Sequence, residues 1–193
     1  MTGELVTSQP MVHPTAIVEE GASIGAGTRV WHRSHVRAGS RIGDGCTIGF
    51  SVYIDDGAVV GNRCKIQNHV SVYRGVTLED DVFVGPCVTF TNDRYPRAGS
   101  PDWEIVPTVI HHGASLGANA TIVCGIDVGT WAMAAAGSVV TSDVPAHGLV
   151  AGNPARLVGW VCACGRRLAR LGDPIPPRCA HCRRDTPEVV VSP

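Results

Sequence analysis

VHPTAIVEEGASIGAGTRVWHRSHVRAGSRIGDGCTIGFSVYIDDGAVVGNRCKIQNHVSVYRGVTLEDDVFVGPCVTF, residues 12–90, returns an aliphatic residue at every sixth position, from Val12 through Val30, Ile48, Ile66 and Val84, and closes the series on Phe90. Four positions after each anchor comes a small or β-branched residue, among them Ala22, Thr28, Cys46, Cys64 and Val70. A period of six fits neither a helix face near 3.6 nor a strand's alternation of two. It describes a solenoid in which each hexad is one short strand and a turn. A single flat rung cannot hide its apolar residue from water. Three rungs joined by turns make a triangular coil whose anchors all point inward over the coil beneath. Gly recurs beside the turns, at Gly21, Gly39, Gly57 and Gly75, where a positive φ is useful. The expected fold is therefore all-β, a parallel β-helix.

Outside this stretch the register fails once, in TNDRYPRAGSPDWEIVPTV, residues 91–109. It returns at Ile110, Leu116, Ile122, Val128, Ala134 and Val140. The insertion carries Arg94, Tyr95, Arg97 and Trp103, the residue types that ligand and subunit contacts use, and long loops on rigid scaffolds are commonly functional. A plain surface loop is the alternative. Stacking hexads in three columns puts His32, Phe50, Asn68 and His69 on one corner, Asp56, Arg74 and Asn92 on a second, and Asp44, Asn62 and Asp80 on the third.

Beyond the last hexads, Cys162, Cys164, Cys179 and Cys182 fall close together. Two pairs of thiols across a polar loop suit tetrahedral zinc, which takes four soft ligands. The second pair has the usual two-residue gap, whereas the first has only Ala163 between its members, and His181 is a possible substitute ligand. Disulfides or free thiols are the other reading. Cys46 and Cys64 occupy inward hexad positions and read as small core residues of a reducing compartment. The expected organisation is an arm over residues 1–11, a β-helix over 12–160 with its loop at 91–109, and a Cys-rich zinc-binding tail over 161–193.

Composition narrows the function. Only 5% of the 193 residues are aromatic and 17% are charged, as expected for a core of stacked Val, Ile and Ala. A formal net charge of −1 gives no general attraction for nucleic acid or an anionic membrane. Met1 to Pro10 has neither a basic start nor an apolar run, and no stretch approaches the ~20 apolar residues of a membrane span. The expectation is a cytoplasmic protein. The flat faces of a three-sided prism, together with the register break, predict a homotrimer with sites shared between subunits.

The hexad pattern resembles the hexapeptide-repeat acyltransferase family, and that resemblance implies a left-handed β-helix. Residues 65–99 (KIQNHVSVYRGVTLEDDVFVGPCVTFTNDRYPRAG), with VWHRSHV at 30–36, LGANATIVCG at 116–125 and AGNPAR at 151–156, are similar to N-acetyltransferases acting on the 3-amino group of nucleotide-linked amino sugars. The implied substrates are UDP-linked 3-amino-glucuronates or dTDP-linked 3-amino-deoxyhexoses, with acetyl-CoA as co-substrate. The resemblance sets the sugar amine near Asn92, whose carboxamide oxygen can orient an amine lone pair, while an Asx turn is the ordinary explanation of an Asn there. His69 is the alternative catalytic residue, a base suited to neutral pH, although similar enzymes usually carry Asn in its place. Gln67, Asn68 and Tyr73 are expected to hydrogen-bond the nucleotide sugar, and the guanidinium forks of Arg94 and Arg97 to meet its charged groups. The coenzyme arm is implied to contact Ala118, Gly137, Asn153 and Arg156. Ser142 stands where family members often have a Lys. His32, His35, His111 and His112 read as turn or surface residues. Two other classes stay open: a metalloenzyme like the γ-class carbonic anhydrases, and a non-catalytic trimeric scaffold whose Arg-rich Cys tail binds a partner.

Overall fold

The computed structural model describes residues 9–99, 101 and 103–186. Among them are 23 strands, most of two residues, arranged in three sheets. Sheet A has ten strands, sheet B seven and sheet C six, and successive rungs pass from A to B to C. Within each sheet a strand pairs in parallel with the equivalent rung of the next coil. Met11 faces Arg29, Ile17 faces His35 and Ser23 faces Arg41, so one coil takes eighteen residues, as the hexads require. The three edges of the prism are designated AB, BC and CA after the sheets they join.

The anchors do what the period demands. Val30, Ile48, Ile66, Val84 and Phe90 are all 1% exposed or less. Each fully buried side chain of this size contributes about 1.5–3 kcal/mol. The small residues at the fifth hexad position fill the space left inside, and most of the hydroxyls among them are bonded: Thr28 donates to the Gly43 carbonyl (2.7 Å) and Ser34 to that of Gly49 (2.6 Å), whereas the buried Ser138 hydroxyl has no partner among the described residues. Val12 and Val18, on the first coil, are 40% and 36% exposed because no coil lies beneath them. Residues 1–8, the bulk of the expected arm, lie outside the described residues.

Corners repeat as strictly as rungs. The third residue after each anchor from Val18 to Val84 has positive φ, whether it is Gly39, Gly45 and Gly57 or Arg33, Ser51, Arg63 and His69. On edges AB and CA a corner N–H reaches the coil below, as from His69 to the Phe50 carbonyl (3.0 Å) and from Cys87 to that of Asn68 (3.0 Å). On edge CA, side chains reinforce this ladder: Asp44, Asn62 and Asp80 each accept from the N–H of Ala26, Asp44 and Asn62, 2.7–2.9 Å away.

At the insertion Phe83 pairs with Ser115 and Thr89 with Thr121, thirty-two residues on, so the excursion adds fourteen residues to one coil without shifting the stack. The chain rejoins sheet C at Thr108–Ile110, two residues before the hexad anchor, so the loop closes at Pro107 rather than at residue 109. The C-terminal end is continuous with sheet A. Gly148–Gly152, Ala155–Val161 and Arg167–Arg170 form its last three strands, the final two added in antiparallel pairing. No helix among the described residues is long and apolar enough to cross a membrane.

Candidate functional site

The expected site residues fall into three places. Edge AB carries Gln67, Asn68 and His69, and on the coils above them Ala118, Gly137 and Asn153. The corner bonds tie these rungs into one column: Gly137 N–H to the Ala118 carbonyl (2.8 Å), Asn119 to Pro86 (2.9 Å) and Cys87 to Asn68 (3.0 Å). Above them, Met133 pairs with Leu149 and Ala134 with Val150, and that strand runs on to Gly152 before the turn at Asn153. The edge changes character along its length. Below, it carries Trp31, His32, Phe50 and Gln67; above, Gly85, Gly117, Ala118, Ala135 and Ala136 leave it nearly bare. His69 stands at the boundary, exposed, at φ 60°. Its ring meets Phe50 edge-on at 5.1 Å, and its imidazole nitrogens have no hydrogen-bond partner among the described residues. The Asn68 carboxamide oxygen is already committed, accepting from the Phe50 N–H at 2.9 Å. Arg156 is the second residue of the strand after the cis Asn153–Pro154 turn and donates to the neighbouring Ala155 carbonyl (2.9 Å).

Edge BC carries Tyr73, Asn92 and the loop. Thr91 and Thr108 flank the excursion, and their hydroxyls accept from the N–H groups of Cys124 (2.9 Å) and Gly125 (3.1 Å). Thr91 thus takes the place that the Glu19 and Asp55 carboxylates hold on lower coils of this edge, where they accept from the N–H groups of Ala38 and Arg74. The sequence reading missed this pair, although a Thr on each flank of the break was the visible signal. Between them the Val106 N–H donates to the Asn92 carbonyl (3.1 Å) and seals the loop root. The Asx turn expected at Asn92 belongs to Asp93, whose carboxylate accepts from the Tyr95 N–H (2.8 Å). The half-buried Asn92 carboxamide is left without a hydrogen-bond partner among the described residues.

The two loop arginines each donate to a backbone carbonyl. Arg94 folds back to the Cys124 carbonyl (3.0 Å) and lies over Gly125, where it straps the loop to the next coil. Arg97 donates to the Pro96 carbonyl beside it (2.9 Å). A cavity of about 550 Å³ lies within the loop, lined by Arg94, Tyr95, Trp103 and Ile105 among others. Tyr73 packs against Tyr53 at 6.2 Å, above a network in which Arg37 joins Glu19 (3.5 Å), Tyr53 (3.4 Å) and Asp55 (3.3 Å).

His69 and Asn92 sit on opposite edges of sheet B. Five residues of extended rung separate His69 from Arg74, the position beneath Asn92, a span of roughly 16 Å. One chain therefore does not bring the two candidates to a common atom.

The third place is the C-terminal end. The Sγ atoms of Cys162, Cys164, Cys179 and Cys182 all lie within 4.8 Å of one another, with Cys162 to Cys182 at 3.5 Å and Cys164 to Cys179 at 3.7 Å. Among the described residues this is the one cluster of His, Cys, Asp or Glu side chains placed to hold a metal. Backbone N–H groups of Cys182 and His181 pull the Cys179 thiol down to about 6, while burial pushes Cys162 up to about 12. The short Cys162–Cys164 turn closes as the longer one does. Cys162 N–H reaches Arg166 and Gly165 N–H reaches Cys162, just as Cys179 N–H reaches Arg184 and Arg183 N–H reaches Cys179, all at 2.8–2.9 Å. Gly165 and Arg183, each directly after the second Cys of its pair, both have positive φ. The one-residue difference is thus absorbed within the turn.

Residues 21–56 and 57–92 match the pattern of the family described as bacterial transferase hexapeptide (six repeats), and residues 107–142 that of the hexapeptide repeat of succinyl-transferase. Together these cover more than half of the chain. The dTDP-3-amino-3,6-dideoxy-alpha-D-galactopyranose 3-N-acetyltransferase of Aneurinibacillus thermoaerophilus is 52% identical over 61 residues, 32% of each chain. Serine acetyltransferase 4 of Arabidopsis thaliana is 44% identical over 96 residues, 50% of this chain and 22% of that one. The matched stretches span a third or less of these curated relatives. A hexapeptide-repeat acetyltransferase of Vibrio cholerae O1 biovar eltor, solved with acetyl coenzyme A, superposes with a TM-score of 0.57 at 26% identity over 64% of this chain and 72% of that one.

Proposed function

The chain belongs to the bacterial transferase hexapeptide family, and from that membership we propose that it is an acetyl-CoA-dependent N-acetyltransferase acting on the 3-amino group of a nucleotide-linked amino sugar. The observation that carries this reading is edge AB. Its upper half, nearly free of side chains, suits an extended pantetheine arm laid along Ala118, Gly137 and Asn153, while its lower half offers aromatic and amide groups to a second, larger substrate. The similarity to a dTDP-3-amino-sugar 3-N-acetyltransferase supports the substrate class.

In the reaction, the neutral sugar amine attacks the thioester carbonyl, a C–N bond forms, and the tetrahedral intermediate expels the coenzyme A thiolate as the C–S bond breaks. The proton lost by nitrogen goes to the departing thiolate, giving the amide and free coenzyme A. Asn92 orients the amine through its unpartnered carboxamide oxygen. Because Asn92 and the coenzyme track occupy different edges of sheet B, a complete site needs edge BC of one chain against edge AB of another, which supports a homotrimer with three shared sites. A monomer with full activity would contradict it. The four thiols at the C-terminal end hold a structural zinc ion in this reading. Tetrahedral Zn–S bonds of about 2.3 Å require S···S separations of about 3.8 Å, close to the 3.5 and 3.7 Å found.

Amine-dependent release of thiol from acetyl-CoA tests the activity, and two substitutions test the site. Asn92→Ala is expected to lower kcat/KM by ~10²-fold or more, about 2.7 kcal/mol of transition-state stabilisation, with acetyl-CoA binding unchanged. His69→Asn is conformationally neutral, since Asn and His both tolerate the positive φ at this corner. It is expected to keep most activity. A loss of ~10²-fold or more at His69, with the disappearance of an acidic-limb pKa, would make His69 the base and displace Asn92.

A further inference from the structure

The two Cys turns end in the same cations. Residues 162–167 read CACGRR and residues 179–184 read CAHCRR. The Arg166 carbonyl accepts from the Cys162 N–H just as the Arg184 carbonyl accepts from the Cys179 N–H, both at 2.9 Å, so Arg166 and Arg184 hold equivalent places in the two turns. Residues 161–186 carry six Arg against Asp173 and Asp185, whereas the rest of the chain has ten Lys or Arg against fifteen Asp or Glu. Charge is thus concentrated at one end. Arg178 is taken up by Asp185 at 2.9 Å. Arg166, Arg167, Arg170, Arg183 and Arg184 are exposed and have no carboxylate partner among the described residues. Four thiolates around a divalent ion leave two negative charges, too few to account for these five cations.

The same segment presents an open sheet edge. Arg167–Arg170 is the last strand of sheet A, paired on one side with Ala155–Val161 and on the other with no strand among the described residues. The Leu171 N–H reaches the Val158 carbonyl (3.2 Å), so strand alternation turns the Arg170 N–H outward, beside a turn in which the Arg170 carbonyl accepts from the Asp173 N–H (3.1 Å). Leu171 follows, 51% exposed.

We propose that this edge docks an extended acidic segment of a partner protein, which adds to sheet A beside Arg167–Arg170 and sets its carboxylates against the unpaired Arg side chains. A strand edge offers both N–H and C=O groups, and only another polypeptide backbone answers both. Nucleic acid phosphates would meet the cations but leave the carbonyls unanswered. A second copy of the strand, laid antiparallel, would set Arg167 and Arg170 against their like, which repels. The surface uses none of the residues assigned to acetyl transfer and stands independently of that reaction.

Fluorescence anisotropy tests it, with the zinc-loaded full chain and a labelled peptide of alternating Glu and Val as the probe. Three controls accompany it: the same peptide N-methylated at alternate amides, its Lys-Val counterpart, and an oligothymidylate. The Glu-Val peptide is expected to bind at least ~ten-fold more tightly than any of the three, because methylation keeps the charge but removes the donors that strand addition needs. Arg170→Glu should weaken binding by ~ten-fold or more, while Arg41→Glu, the same charge change at an exposed position of sheet C, should leave it unchanged. Equal melting and zinc content would verify that both variants fold. Arg166→Glu, which lies off the strand, repeats the test without touching the sheet. No binding of the Glu-Val peptide, or equal binding of its methylated form or of the oligothymidylate, would overturn the proposal. Binding that appears only when residues 187–193 are removed would give the edge to the chain's own end, with the same consequence.

Discussion

The prism and its C-terminal end hold their shape by different means. In the prism every rung from Val30 to Val140 buries its anchor against neighbouring rungs, so order spreads over the stack rather than resting on one residue. Residues 162–186 have few apolar side chains to bury: Leu171 is 51% exposed, and Ala169 and the two inner Cys are the small groups that are covered. What converges there instead is four sulfur atoms. A repetitive core thus tolerates local loss, whereas a segment organised at one point depends on that point.

The sharpest way to break the comparison is metal removal. With about one zinc per chain, chelation or the Cys179→Ser/Cys182→Ser double variant should release the hydrogen-exchange protection of residues 167–186 entirely, since a zinc site of this kind supplies ~10–16 kcal/mol of apparent binding energy. The sheets of residues 30–140 should keep theirs. Protein prepared with zinc yet metal-free, or loss of protection throughout the prism, would refute the division.

A single core truncation should do far less. Ile66→Ala removes a fully buried side chain between rungs that remain and is expected to cost about 2–5 kcal/mol. The midpoint of denaturant unfolding would report it, with zinc content unchanged. A concurrent loss of zinc would mean that the two regions unfold as one.

The smallest effect belongs to the corner charges. The Arg63 side chain holds the Asp81 carboxyl below its ordinary range (2.7 Å), and the Asn62 N–H does the same for Asp80. Their folded pKa values lie below the unfolded ones, so this stabilisation is present above the ordinary Asp value near 3.9 and is lost as pH falls through the depressed values. Asp81→Asn should therefore cost at most about 1 kcal/mol at neutrality, where the exposed pair is charged, and progressively less as pH falls below about 4, which flattens the stability profile there. An equal loss at pH 7 and pH 3 would show that the charge plays no part.

How far the sequence could be read follows from the same contrast. The period of six was legible because each hexad repeats one burial decision, and Val30, Ile48 and Ile66 are buried as their spacing demands. The corner columns were legible for the same reason. The need for glycine at residue 49 was not, because it depends on how the Asn68 side chain and the backbone of the coil above fill the place of a Cβ. Nor was the division of site residues between edges AB and BC, since hexad arithmetic assigns columns without saying which can face one substrate. The Cys162–Cys164 spacing departed from a regular ribbon, and only the backbone bonds of its turn show how a shorter link presents the same two sulfurs. Arg94 and Arg97 were read by charge alone, which carries no information about the carbonyls they meet.

The seal at the loop root has a consequence for how such a chain can change over time. With the Val106 N–H on the Asn92 carbonyl and the two threonine hydroxyls on the next coil, everything between residues 92 and 106 hangs from a closed gate. Doubling the length of such a loop costs only ~0.6 kcal/mol in closure entropy, and the register of the coils above and below does not feel it. Residues 93–105 are accordingly a stretch of chain where length and composition can drift while the stack stays fixed, a place for acquiring new contacts without renegotiating the fold.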